Sequence, residues 1–340
     1  MADEQLVAEI GVQAVARIAQ GKQKILREIR KIIIGQDHVV DDVITAFFAG
    51  GHCLITGVPG LAKTLLISSL GRAMDLKFRR IQFTPDLMPA DITGTEVLEE
   101  DRASGKRELK FRPGPIFTNI LLADEINRTP PKTQAALLEA MQEHQVTVSG
   151  NTYALDEPFF VLATQNPIEQ EGTYPLPEIQ QDRFMFSLII DYLPKDQELQ
   201  VVNQTTSSQV EDITKCMDGK ELLEYQEIVR EIPVAEPVIR YAVGLAAKSR
   251  PTEPGAPDFV KEYVSWGASI RASHYLVLGA KARAILAGRP YVSIGDVQSV
   301  AYGVLRHRII TNFRAESEGI KSEEIVSRLL KTVLPPKSGL

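Results

Sequence analysis

One stretch constrains the fold of this 340-residue chain more than any other: Gly57-Val58-Pro59-Gly60-Leu61-Ala62-Lys63-Thr64. It lies between the apolar run Cys53–Thr56 and the mostly apolar run Leu65–Leu70. This order predicts a buried strand, a tight turn and an amphipathic helix. Backbone N–H groups at such a turn and at the start of the helix converge on phosphate oxygens. We therefore predict a phosphate-binding loop here.

Within this loop, Lys63 and Thr64 carry the side chains that act on phosphate and metal. The Lys63 ammonium would contact the β- and γ-phosphate oxygens, and the Thr64 hydroxyl would be a ligand of Mg²⁺. The stretch departs from the usual G-x-x-x-x-G-K-[ST] at Ala62, which stands in place of the second glycine. Because alanine has a Cβ, we expect helical rather than left-handed backbone there. The alternative is an ordinary strand–turn–helix with a surface lysine.

Composition and charge narrow the class of protein. The 44% hydrophobic and 24% charged residues are typical of a globular protein, and the net charge of −6 argues against a dedicated nucleic-acid binder. The two cysteines indicate neither a disulfide framework nor a cysteine zinc site. No apolar run approaches the roughly 18 residues of a membrane helix, and the acidic start is unlike a secretory signal. We expect a cytoplasmic protein with no membrane span.

The pattern along the chain predicts an α/β fold followed by a helical domain. Helical spacing in residues 5–33 is interrupted by Gly21 and predicts two helices. Alternating strands and helices then predict a parallel sheet with helices on both faces. Hairpins are expected within residues 84–117 and 146–154. From Lys220 onward only helical patterns occur, so we predict domains at residues 1–210 and 211–340, joined by the polar stretch Thr205–Asp212.

Two acids, Asp124 and Glu125, follow the apolar run Ile120–Ala123 about sixty residues after the loop. This is the profile of a buried parallel strand that delivers carboxylates to its C-terminal edge, where α/β sheets place their sites. Asp124 could hold Mg²⁺, and Glu125 could orient and activate a water for attack on the γ-phosphate. Such a pair alone often marks only the end of a strand. Together with the loop it predicts nucleotide hydrolysis.

Several segments together resemble the MoxR-type AAA+ ATPases. They span most of residues 30–310 and are Gly57–Thr64, Leu121–Arg128, Pro130–Glu143, Ala163–Pro167, Leu176–Phe184 and Gly267–Ala272. The resemblance implies a P-loop NTPase (AAA+) core, whose parallel sheet is sandwiched by helices, followed by an all-α lid domain. It also implies ATP and Mg²⁺ as cofactors and a ring of identical subunits, often a hexamer.

The resemblance assigns three further residues to catalysis beside Lys63, Asp124 and Glu125. Asn166 is expected as the polar sensor at the end of the fourth strand, where it could orient the lytic water. Arg183 is expected as an arginine finger that projects into a neighbouring subunit's site. Arg271 is expected as the sensor arginine of the lid, placed in the first turn of a helix that Ser269 could cap. The plainer alternatives are a turn-forming asparagine and two surface arginines.

The nucleotide-binding set is completed by a segment before the loop. Ile34-Gly35-Gln36 resembles the segment that backs the adenine of ATP. Arg128 is either a second arginine acting in trans or the partner of a nearby acid. The residues expected to bind the cofactor are Gly35, Gln36, Gly57, Val58, Pro59, Gly60, Leu61, Ala62, Lys63, Thr64 and Leu65.

The function that the resemblance implies is an ATP-driven, chaperone-like machine that remodels or assembles protein complexes. Metal or cofactor insertion and a partner with a von Willebrand factor A domain belong to the same expectation. One alternative is a nucleotide-gated scaffold with slow turnover. Another is a DNA-acting AAA+ machine, which the net acidity disfavours. We expect no nucleic-acid partner, and the sequence identifies no client.

Overall fold

A computed structural model describes residues 2–58, 60–100, 107–167, 172–206 and 211–335, with side chains from residue 13 onward. Pro59, the hairpin tip at residues 101–106 and part of the expected linker lie outside the described residues. Among those described, no helix combines the length and the apolar character needed to cross a membrane.

The first two hundred residues form the predicted α/β core. Its helices are α1 (Ala2–Ile29), α2 (Asp37–Ala49), α3 (Lys63–Ala73), α4 (Pro89–Thr93), α5 (Pro131–Glu143), α6 (Glu178–Gln181) and α7 (Lys195–Thr205). Its strands are β1 (Cys53–Thr56), β2 (Phe78–Gln82), β3 (Gly94–Glu100), β4 (Arg107–Pro113), β5 (Ile120–Asp124), β6 (Gln145–Val148), β7 (Asn151–Ala154), β8 (Phe160–Gln165) and β9 (Phe186–Ile189). The expected hairpins are β3–β4 and β6–β7.

Five strands make one parallel sheet in the order β2-β5-β8-β1-β9. Alternate residues of the buried strands enter separate cores, as the period of a strand requires. On β5, Leu122 packs toward α1, α2 and α3, whereas Leu121 packs toward α5. Helices therefore cover both faces of the sheet. Because all five strands are parallel, their carboxyl ends share one edge.

The helical lid follows, and its two short strands were not predicted. Its helices are α8 (Gly219–Glu231), α9 (Glu236–Lys248), α10 (Asp258–Tyr263), α11 (Ile270–Leu286), α12 (Ile294–Leu305), α13 (Phe313–Ser317) and α14 (Ser322–Thr332). The strands β10 (Val264–Trp266) and β11 (Ile310–Thr311) pair in an antiparallel ladder. One buried apolar cluster continues from α1 and α2 into α11 and α12, so lid and sheet share a core.

The prediction of two helices before residue 34 is wrong, because α1 is continuous through Gly21. A Cβ at Gly21 would lie 3.1 Å from Met217 Cε and 3.9 Å from a ring carbon of Tyr225. The glycine therefore marks a close approach between α1 and the start of the lid. In the sequence, a glycine within a helical pattern is read as a helix breaker. The hydrophobic periodicity gives no indication of the contact between Gly21 and the lid.

Candidate nucleotide site

Three strands deliver the predicted site to the carboxyl edge of the sheet. In the register, Leu54 of β1 pairs with Ala163 of β8, which pairs with Ala123 of β5. The residues that follow these three strands therefore emerge side by side. The Gly57 N–H bonds to Gln165 O at 3.2 Å, which fixes the start of the loop against the end of β8. The loop, the acidic pair and Asn166 meet at this edge.

The loop is closed by Lys63, whose Nζ donates a hydrogen bond to Gly57 O at 2.8 Å. A Cβ at Gly57 would lie 2.7 Å from Ile190 O, so only glycine fits beside β9. A Cβ at Gly60, where φ is 86°, would meet nothing within 4 Å. The loop is thus tightly packed at Gly57 and has open space at Gly60.

The expectation of helical backbone at Ala62 is wrong. Its φ of 55° and ψ of 22° are left-handed, and it is the N-cap of α3. Ala62 O accepts the Leu66 N–H at 2.9 Å, so the helix begins directly after this turn. Left-handed backbone costs a residue with a Cβ about 1–2 kcal/mol. The turn from the loop into the helix requires it nonetheless, and strain of this kind is common at functional sites.

Asp124 is held by two side chains that the sequence did not single out. Thr164 Oγ1 on β8 donates to Asp124 Oδ1 at 2.5 Å. Arg80 on β2 donates to Asp124 Oδ2 through Nη2 at 2.6 Å and through Nε at 3.0 Å. Finding these partners requires the strand order, because β2 and β8 flank β5 in space and lie some forty residues from it in the chain.

Glu125 lies just beyond the strand, with left-handed backbone at φ 57°. Its Oε2 accepts hydrogen bonds from Gln82 Nε2 at 2.6 Å and from Arg128 Nη1 at 3.1 Å. Its backbone N–H donates to Thr164 Oγ1 at 2.9 Å. Of the two roles left open for Arg128, the structure shows the ion pair with a nearby acid.

The charges of the site fit a metal-bound phosphate. Burial lowers the pKa of Lys63, and the nearby carboxylates of Asp124 and Glu125 oppose this shift. Mg²⁺ commonly takes one or two protein oxygens and completes its shell with substrate phosphates and water. Thr64 and Asp124 supply such oxygens. No group of three or more His, Cys, Asp or Glu that could hold a metal ion occurs within the described ranges.

The remaining binding residues lie around the same edge. The Gln36 side chain donates to Asp191 O at 2.5 Å, which places Gly35 and Gln36 beside the end of β9. A Cβ at Gly35 would lie 2.7 Å from Leu193 Cδ2, so this segment is tightly packed. Asn166 is 5% exposed and follows β8 directly. Val58, Leu61 and Leu65 belong to the loop or the first turn of α3, and Leu65 is 43% exposed.

The two predicted arginines lie at the opposite edge of the sheet. Met185 N donates to His52 O at 2.8 Å, so Arg183 lies near the amino end of β1, whereas Lys63 lies beyond its carboxyl end. The four residues of β1 alone separate these edges by about 13 Å, at roughly 3.3 Å per residue. Arg183 Nη1 donates to Leu138 O at 2.8 Å. Its guanidinium is therefore remote from the loop of its own chain.

Arg271 lies beside Arg183. Its Nη1 donates to Asp182 Oδ2 at 3.0 Å, and the Ser269 side chain caps α11 as predicted, accepting the Arg271 N–H at 3.2 Å. The sequence did not indicate whether Arg271 would approach the nucleotide bound to its own subunit or the one bound to a neighbouring subunit. Its position brings it together with the finger and leaves both arginines apart from Lys63, Asp124 and Glu125.

Comparisons with known proteins agree with this architecture. Residues 52–186 match the ATPase family associated with various cellular activities (AAA), and residues 258–329 match the AAA lid domain. Chaperone MoxR1 of Mycobacterium tuberculosis is 40% identical over 329 residues, which cover 96% of this chain and 85% of that protein. The chain belongs to the MoxR family of AAA+ ATPases.

Other similar proteins match over comparable lengths. Protein YeaC of Bacillus subtilis, whose function is uncharacterized, is 40% identical over 92% of this chain and 94% of its own length. Protein MoxR of Methylorubrum extorquens is 30% identical over 90% and 92%. A crystal structure of a candidate ATPase from Cytophaga hutchinsonii superposes with a TM-score of 0.89 at 42% identity and covers 98% of this chain and 99% of its own.

Membership of the MoxR family confirms the predicted family and the fold, with its AAA+ core and helical lid. It also implies that the chain binds a nucleotide. The roles of individual side chains, the bound metal and the domain boundary near residue 210 remain predictions.

Proposed function

We propose that this protein is an Mg²⁺-dependent ATPase whose active site is completed by a neighbouring copy of the chain. The observation that carries the proposal is the separation of Arg183 from Lys63 across the sheet. An arginine that stabilises the transferring phosphoryl group must touch it. Arg183 does not lie near its own loop, so it would act on the site of the next subunit.

Within one chain, each residue has a role that its position allows. Backbone N–H groups of the loop and the Lys63 ammonium would hold the β- and γ-phosphates, and Gly35 and Gln36 would lie against the base. Glu125 would orient and deprotonate the attacking water, with Asn166 positioning it from the end of β8. Mg²⁺, held by Thr64 and Asp124, would neutralise phosphate charge.

Exposed apolar side chains flank both halves of the proposed shared site. Near Arg183 and Arg271, Ile179 is 80% exposed and Ile270 is 83% exposed. Beyond the carboxyl edge, Tyr192 is 72% exposed and Leu199 is 62% exposed. Two different faces that complement each other form a head-to-tail interface, and such an interface gives a ring when the rotation between neighbouring subunits closes. A ring of identical subunits, with six as the expected number, fits this arrangement.

The work done by hydrolysis is proposed from the relatives. Since one of them is named as a chaperone, we extend to this chain the remodelling or assembly of protein complexes. Metal or cofactor insertion, a von Willebrand factor A partner and a cytoplasmic location are narrower parts of the same proposal. Lid movement relative to the sheet would transmit each turnover to the client.

Replacing Glu125 with Gln tests the ATPase proposal. We expect the variant to lose at least about a hundredfold in kcat, in line with the usual contribution of a general base, and to keep its affinity for a fluorescent ATP analogue. Glu224→Gln, an exposed acid on α8, is the matched control and should retain wild-type turnover. No turnover in the assembled wild type would favour the nucleotide-gated scaffold. The hydrogen bonds that hold Glu125 to Gln82 and Arg128 would be compatible with such a scaffold, because they engage the carboxylate that hydrolysis requires.

A further inference from the structure

The loop that carries Arg183 is bonded to the lid through its own backbone. Four consecutive carbonyl oxygens, those of residues 182–185, accept hydrogen bonds from lid side chains. Three of them accept from Arg308, which follows α12. The bonds include Arg308 Nη2 to Asp182 O at 2.7 Å and to Phe184 O at 2.7 Å, Arg308 Nη1 to Met185 O at 3.3 Å, and the Tyr275 hydroxyl to Arg183 O at 3.3 Å. Phe184 O also lies 3.2 Å from the Nε2 of His307, another lid residue. The path of this loop is thus set by the lid.

Arg308 is built into the protein as a fully satisfied buried cation. Its side chain is 1% exposed. A guanidinium has five N–H donors, and all five have acceptors here, since Nε donates to Asp182 Oδ1 at 2.6 Å and Nη1 also donates to Val304 O at 2.6 Å. The guanidinium carbon lies 5.2 Å from the centre of the Tyr275 ring. A lysine has only three donors and could not replace this set.

Asp182 joins Arg308 to Arg271, the expected sensor arginine of the lid. Its Oδ1 accepts from Arg308, and its Oδ2 accepts from Arg271 at 3.0 Å. Asp182 immediately precedes the finger residue Arg183, and its carboxylate therefore binds both the buried arginine and the sensor arginine. Arg183 itself has a different attachment, because its guanidinium donates to Leu138 O on α5. The backbone of residues 182–185, the finger loop, is thus bonded to the lid, whereas the guanidinium of Arg183 is bonded to the core.

We propose that Arg308 is a positioning residue that makes the lid, which carries Arg271, and the loop that carries Arg183 move as one unit. The inference rests on the proposed function, because it assumes that Arg183 serves a neighbour's site. A change in the lid's orientation would then move Arg183 relative to that site. The Arg183 guanidinium could leave Leu138 O for a phosphate while its backbone stays bonded to Tyr275 and Arg308. The state of one subunit's lid would thereby set the hydrolysis rate in the next subunit.

A double-mutant cycle between Arg308 and Arg183 tests this proposal. Arg308→Lys keeps the charge and loses the planar set of donors. We expect kcat of the assembled protein to fall about tenfold or more, with KM for ATP and native mass unchanged, because an interaction used only in the transition state affects kcat. In an Arg183→Ala background the same substitution should change kcat by less than about twofold, since two residues acting through one group are not additive.

The matched control is Arg306→Lys. Arg306 lies two residues away and is also largely buried, but it pairs with Glu323 and makes no bond to the finger loop. We expect wild-type kcat for this variant. An equal loss in Arg306→Lys and Arg308→Lys, or an equal effect of Arg308→Lys with and without Arg183, would overturn the proposal.

Two further outcomes separate this inference from the proposed function. If Arg183→Ala keeps wild-type kcat, the trans-acting finger fails and this inference fails with it. If Arg183→Ala lowers kcat and Arg308→Lys does not, only this inference fails. Should Arg308→Lys not fold, Tyr275→Phe removes the single hydroxyl bond to Arg183 O. It should lower kcat about threefold in the wild-type background only, and unchanged kcat would overturn the proposal.

Discussion

Gln82 donates a 2.6 Å hydrogen bond from its side-chain amide to Oε2 of Glu125, the acid proposed to activate water. The same oxygen accepts from Arg128 at 3.1 Å. Gln82 ends β2, an edge strand of the sheet, and pairs in register with Asp124. The edge strand therefore restrains the carboxylate that would contact the attacking water.

Removing this restraint should raise basal hydrolysis. In Gln82→Ala, Glu125 keeps Arg128 as a partner and gains freedom to turn toward water. We expect kcat to rise about threefold, which corresponds to about 0.65 kcal/mol at 1.36 kcal/mol per factor of ten. Steady-state phosphate release measures it. A fall in kcat would show instead that Gln82 holds Glu125 in its active position.

Arg80 should compete with Mg²⁺ for Asp124. Its guanidinium bonds to Oδ2 of the carboxylate that is expected to hold the metal. The Arg80 side chain is 47% exposed, so solvent weakens the ion pair, and the pair stabilises the position of Asp124 by at most about 1 kcal/mol. In Arg80→Ala the Mg²⁺ concentration that half-saturates nucleotide binding should fall about two- to fivefold, as measured with a fluorescent nucleotide and no turnover. Arg79→Ala, on the same strand, is the control, and an unchanged midpoint in Arg80→Ala would contradict the prediction.

Acid should destabilise the fold through His52. Burial lowers the pKa of this ring to about 4, and both nitrogens are used, with Nε2 donating to Met141 O and Nδ1 accepting the Val161 N–H. The unfolded chain takes up the proton near pH 6.5, whereas the folded chain does not until about pH 4. Stability from this group is therefore full above pH 6.5 and is lost as the pH falls toward 4.

The expected loss from His52 between pH 7 and pH 5 is about 2 kcal/mol of unfolding free energy. Urea unfolding at the two pH values measures it. His52→Gln should be less stable at pH 7 but should show a smaller difference between the two pH values. His144 changes the pH dependence of stability in the opposite direction, since its hydrogen bond to Glu157 raises its pKa. Both the wild type and His52→Gln contain His144, so the comparison between them isolates His52. Equal differences in both proteins would exclude His52 as the cause.

The sequence predicted those parts of the molecule that local pattern encodes. The strands that end at Thr56 and at Asp124, and the cap at Ser269, all have the structure that the sequence pattern predicts. Family resemblance added the positions of Asn166 and the two arginines. It could not show that Arg271 lies beside Arg183, because that contact joins residues 182 and 271 through tertiary packing.

The parts that were missed depend on contacts between distant segments. Arg80, Gln82 and Thr164 surround the acids only because β2 and β8 flank β5. Ala62 is left-handed because the loop must turn into α3, which outweighs the preference of alanine. Arg308 has no motif of its own, and only the fold shows that its donors meet the finger loop. The sequence shows the identity of each of these residues, but it does not show which distant residue each one contacts.

The most direct test of the shared site is a mixing experiment. Lys63→Ala subunits have an intact finger and a defective loop, and Arg183→Ala subunits have the reverse. In a random equal mixture, about a quarter of the head-to-tail sites combine an intact loop with an intact finger. We predict that two nearly inactive preparations regain about a quarter of wild-type ATPase activity after mixing and reassembly. Activity that stays at the level of the separate variants, in mixed assemblies verified by native mass, would contradict a site shared between subunits.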